Sequence, residues 1–88
     1  MASARTIYHI IPLTTKTKGR RVCRGWGIRL AGQVIREVQR KSDAVEDAAH
    51  MARGIQTQGG LAQVVVHTLA GRISFERTYG QDPRRYKG

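Results

Sequence analysis

Between Ser42 and Gln58 the apolar residues recur with a helical period. Ala44, Val45, Ala48, Ala49, Met51, Ala52 and Ile55 fall within one arc of a helical wheel, and Asp43, Glu46, Asp47, His50, Arg53 and Thr57 fall opposite. This feature constrains the fold more than any other. A single amphipathic helix must bury its stripe, and a stripe made largely of alanine lets the helix approach a sheet closely. Ser42 or Asp43 is the expected N-cap; with Asp43 there, Glu46 stands at the N3 position of a capping box. The acids of the first turns complement the helix dipole, with Arg53 toward the other end. Gly59 and Gly60 mark the stop.

Everywhere else the period is two. "RTIYHIIPL" (5–13) reads as a first strand, with Pro12 toward its end. "GWGIRL" (25–30) places Trp26, Ile28 and Leu30 on one face, which makes Trp26 a core residue rather than a stacking platform. After the tight-turn signal "AGQ", "VIREVQ" (34–39) alternates Val34, Arg36 and Val38 against Ile35, Glu37 and Gln39. Beyond the helix, "LAQVVVHTLA" (61–70) and "RISFERTY" (72–79) are two further strands joined through Ala70-Gly71. The expected fold is a single small α+β domain over 5–83, order β-β-β-α-β-β. One helix packs on one face of a mostly antiparallel sheet and leaves the other face for water or a partner. Residues 1–4 are expected as a disordered start, 14–24 as a basic loop or flared hairpin tip, and 84–88 as a basic tail.

Charge is the compositional outlier. The 88 residues carry 16 Lys and Arg against 6 Asp and Glu, a formal net charge of +10, and most of these cations are arginine. Such an excess bears on partners, not on fold, and points to DNA, RNA, anionic lipid or an acidic protein. Arginine's planar fork suits phosphate especially well. The lone Cys23 cannot form an intrachain disulfide and fits a reducing compartment. "MASARTIYHI" lacks the order of a secretory signal, and no apolar run is long enough to span a bilayer, so a cytoplasmic protein without membrane contact is expected.

Taken together, "IYHIIP", "GWGIRL", the alanine-rich helix, "VVVHTLAGRI" and "ERTYGQDP" resemble the small bacterial domain of unknown function 2188. The resemblance rests on Tyr8, His9, Pro12, Gly25, Trp26, His67, Gly71, Arg72, Ile73, Tyr79, Gly80, Asp82 and Pro83. It spans residues 7 to 83 and departs from the family in the longer, more basic insert "LTTKTKGRRVCR". It implies the fold given above and a bacterial, phage or mobile-element setting, and it carries no activity.

The residues themselves give no support to catalysis. In "TYGQDP" a structural stop accounts for Gly80, Asp82 and Pro83. His9, His50, His67 and Cys23 have no compact zinc spacing. His9 and His67 become neighbours if the first and fourth strands pair, and satisfied strand histidines are then expected rather than a metal site. Cys23 has no identifiable partner base. "GWGIRL" lacks the rest of a dinucleotide fingerprint, so no cofactor is expected. What remains is "TTKTKGRRVCRGWG" (14–27), with Lys16, Lys18, Arg20, Arg21 and Arg24 and no acid, and the tail cations Arg84, Arg85 and Lys87. These eight residues are the expected phosphate contacts of a non-enzymatic DNA- or RNA-binding module. The helix is acidic outside, which excludes it as a groove reader, so a strand or loop mode follows. The alternative is a protein-interaction module, either a homodimer or a binder of an acidic protein, using the open sheet face or a sheet edge.

Overall fold

A computed structural model of the chain describes residues 5–80. Five strands and one helix follow in the expected order: β1 (Thr6–Thr17), β2 (Arg20–Leu30), β3 (Gln33–Val38), α1 (Lys41–Thr57), β4 (Ala62–His67) and β5 (Ile73–Tyr79). The sheet order is β3-β2-β1-β4-β5. The direction of each strand follows from its connection. Two tight turns make β1, β2 and β3 an antiparallel meander, so β3 points the same way as β1. The helix then carries the chain back across the sheet to β4, which must run parallel to β1 beside it. A last antiparallel turn adds β5.

The helix lies on one face, as its alanine stripe requires. Ala44, Ala48 and Ala52 are fully buried, and they meet Tyr8, Ile10, Ile28, Ala62, Val64 and Val66 of the sheet. Trp26 is only half-buried against this core, and the Lys41 ammonium lies 5.2 Å from its ring centroid. At its C-terminus the Gly60 N–H reaches the Ile55 carbonyl at 2.8 Å and the Gly59 N–H the Gln56 carbonyl at 2.9 Å. With Gly59 at φ 86 this is a Schellman stop, so the double glycine ends the helix as expected. The start differs. The N-cap is Arg40, in extended conformation and without a side-chain cap bond, rather than Ser42 or Asp43. The chain must reach the sheet face directly from β3. Helical geometry therefore sets in at Lys41, where the side chain can cover Trp26, and Asp43 serves the dipole from within the first turn.

β3 breaks the plain alternation expected of it. A bulge between Ile28 and Arg29 pairs Ile28 with Arg36 but Arg29 with Val34, leaving Ile35 as the extra residue, 46 % exposed. Arg36 thus points to the helix side, where its Nε donates to Asp47 Oδ2 at 2.6 Å, while Arg29 stays on the open face. No helix among the described residues is long and apolar enough to cross a membrane.

Candidate nucleic-acid interface

Of the two expectations for the basic stretch, a loop or a hairpin tip, the structure shows the hairpin. β1 and β2 keep pairing past the core in the rungs Thr14–Cys23, Thr15–Val22, Lys16–Arg21 and Thr17–Arg20, so 14–24 is a two-stranded ribbon whose side chains are all exposed. The reason is local. Threonine, valine and arginine tolerate extended backbone, and Lys18-Gly19 closes the hairpin with both residues at positive φ, 53 and 76. That is the pattern of a type I′ turn, which matches strand twist. A bulge between Leu13 and Thr14 separates the ribbon from the sheet body and leaves Arg24 as the extra residue. The ribbon extends the molecule: its extents are 56 × 24 × 20 Å, and its radius of gyration is 14.8 Å, against about 12 Å for a compact chain of this length.

Four of the eight expected contact residues come together here. Lys16 and Arg21 are direct cross-strand partners, Lys18 occupies the turn, and Arg20 faces Thr17. Arg24 is drawn off instead: its Nη1 donates to Glu37 Oε1 of β3 at 3.2 Å. Arg84, Arg85 and Lys87 lie outside the described residues, as do Asp82 and Pro83.

The open sheet face adds residues that the sequence did not place among the phosphate contacts. On β1 the residues facing away from the helix are those alternating with Tyr8 and Ile10, namely Ile7, His9 and Ile11. His9 stands opposite Arg29 of β2 and beside Val65 of β4. The pairing of β1 with β4 brings His67 into reach, and His9 Nδ1 lies 3.1 Å from His67 Nε2, a hydrogen bond in which one ring donates and the other accepts. The histidines are therefore neighbours that satisfy each other. Burial, the Arg29 guanidinium and His67 all push the His9 pKa below its ordinary value, in that order of size, so His9 is held neutral near pH 7.

Two shallow hollows flank Arg29. One, of about 700 Å³, has Arg5, His9 and Arg29 on its walls, and the other, of about 340 Å³, has Arg21, Arg29 and His67. No carboxylate among the described residues lines either. The nearest acids of this face are occupied, Glu37 by Arg24 and Glu76 by the Gln63 amide, which donates at 2.6 Å. Among the described residues a strip lined by no acid thus runs from Arg5 across Arg29 to Arg21 on the ribbon. Arg5, Arg29, His9 and His67 were not among the expected contacts, because only the β1–β4 pairing and the β2 register make them one surface. Among the described residues no three His, Cys, Asp or Glu converge to hold a metal ion. Cys23 is exposed, and its thiol donates to the Gly25 carbonyl at 3.3 Å. No family model matches this chain, and neither curated proteins nor solved structures give a match to it.

Proposed function

We propose that the protein is a non-enzymatic nucleic-acid-binding module whose β1–β2 ribbon grips the phosphate backbone. One observation carries this reading: Lys16 and Arg21 face each other on an exposed ribbon that contains no acid. Like charges directly opposite each other on a hairpin repel, and the ribbon buries no core to offset that. Intramolecular stability does not explain this arrangement; a polyanion that lies against it does. A two-stranded ribbon is also the right width for a major groove about 12 Å across, and its four rungs reach about 14 Å. The resemblance to domain of unknown function 2188 belongs to the same proposal and contributes a bacterial setting.

The test is a salt titration of binding to duplex and single-stranded oligonucleotides. With Lys16, Lys18, Arg20 and Arg21 each displacing a counterion, log affinity for duplex falls against log salt with a slope of about −4. Changing Lys16, Lys18 and Arg20 together to Gln brings the slope to about −1. Absence of binding at low salt, or a slope indifferent to these changes, sinks the reading.

A second reading, self-association through a sheet edge, is favoured by β5, where Ile73 is 56 % and Phe75 39 % exposed. Light scattering on the eluted protein separates the two, since a dimer that ignores oligonucleotides supports only the second.

A further inference from the structure

We infer that His9, His67 and Arg29 form an oxyanion subsite on the open sheet face, which takes a phosphodiester oxygen beside the groove that the ribbon enters. The subsite rests on the nucleic-acid reading for its physiological ligand but not for its chemistry. Arg29 stands opposite His9 in the β1–β2 register and lines both hollows, so an anion in either one meets its guanidinium. His9 borders one hollow and His67 the other, and the bond of 3.1 Å between His9 Nδ1 and His67 Nε2 links the two rings, leaving the second nitrogen of each ring for a ligand beside Arg29. The position is continuous with the ribbon, because Thr14 at its root and Arg21 further along it border the same hollow as Arg29 and His67.

The electrostatics of the pair give the subsite a signature. The groups facing His9 are Arg29 from β2 and His67 from β4, and Arg5, just ahead of β1, lines the same hollow. Glu76 of β5 lies one strand further, opposite Val65, and is engaged by Gln63. The helix packs on the other side of the sheet. Without a ligand, every charge close to His9 is positive and protonation is disfavoured. An oxyanion at Arg29 reverses the sign of the local field, so binding draws a proton onto the pair. Affinity must then rise as pH falls, by up to about tenfold per pH unit for each proton taken up.

The experiment follows the ring signals of His9 and His67 by NMR while the full chain is titrated with sulfate, whose charge stays constant between about pH 5.5 and 7.5. In parallel, affinity for a DNA duplex lacking terminal phosphates is measured at both ends of that range. Sulfate is expected to shift both rings and to raise the pH at which His9 titrates, and Arg29→Gln weakens sulfate at least about tenfold. The duplex is expected to bind about tenfold tighter at the lower pH, and His9→Gln removes most of that gain. The Lys16→Gln, Lys18→Gln, Arg20→Gln protein binds duplex more weakly at both pH values and keeps the gain. Should the duplex fail to bind while sulfate still moves the rings, the nucleic-acid reading falls and the subsite stands as a site for a small oxyanion. Rings that ignore sulfate, or a pH gain undiminished in His9→Gln, overturn the inference, and the wild-type rings give this answer even if a variant does not fold.

Discussion

His9 sits where charge is unwelcome, and this has a consequence for stability. Its folded pKa lies below the ordinary 6.5, so as pH falls through that value the unfolded chain takes up the proton first. The stability it contributes is complete above pH 6.5 and is lost as pH drops below it. Melting temperature is expected to fall between about pH 7.5 and 5.5 in ligand-free protein, and to fall less in His9→Gln; identical profiles would refute the assignment. Lys18 presents a second single-residue conflict. Its φ of 53 is strained for a side chain bearing a Cβ, and at this position of a type I′ turn Asn is preferred. Lys18→Asn should stabilise the protein by up to about 1 kcal/mol while weakening duplex binding. A substitution that moves both measurements in the same direction argues against a binding role for Lys18. That Lys18 lies in the basic stretch was plain from the sequence; that it spends its charge on a strained turn was not, because φ is set by the pairing of two strands.

At the scale of elements, the helix and the ribbon obey different constraints. Ala44, Ala48 and Ala52 have no exposed surface, and the helix rides directly on the β1, β2 and β4 side chains beneath it. There is no room for a longer side chain. Ala48→Leu is expected to cost about 1–3 kcal/mol, measured by denaturant unfolding, and an unchanged midpoint would show that the contact is looser than described. The helical stripe was readable residue by residue, since a period of 3.6 survives any tertiary context. The N-cap was not, because Ser42 and Asp43 are good caps in isolation, whereas the distance from β3 to the sheet face decides where the helix can begin. The ribbon was readable as charge, but the choice between loop and hairpin tip stayed open: a basic, threonine-rich stretch has no apolar alternation to betray it, and its extension is inherited from β1 and β2.

The whole molecule divides into a helix-backed sheet that holds the stability and a protruding ribbon that holds much of the unneutralised charge. Ile10, Ile28, Val64 and Val66 are fully buried in the body, while residues 14–24 are exposed throughout. Replacing Thr15–Val22 by Asn-Gly should therefore leave the unfolding free energy within about 1 kcal/mol of the parent and abolish tight duplex binding. Loss of folding in that variant would show that the ribbon supports the body and would undercut the division. The acids follow the same partition. Asp47 and Glu37 compensate Arg36 and Arg24 at the margins of the body, exposed pairs each worth less than about 1 kcal/mol, and among the described residues no acid pairs with Lys16 or Arg21.

Periodicity and composition alone determined the element order, the single helix with its buried stripe, the double-glycine stop and the excess of positive charge, because each depends on neighbours a few positions apart. Tertiary structure decided the rest. The helix crossover laid β4 parallel to β1 and so joined His9 to His67, and the bulges sent Arg29 and Arg36 to opposite faces and Arg24 to Glu37. Strand register shifted by one residue reverses the side on which a side chain emerges, and no local pattern in this chain sets that register.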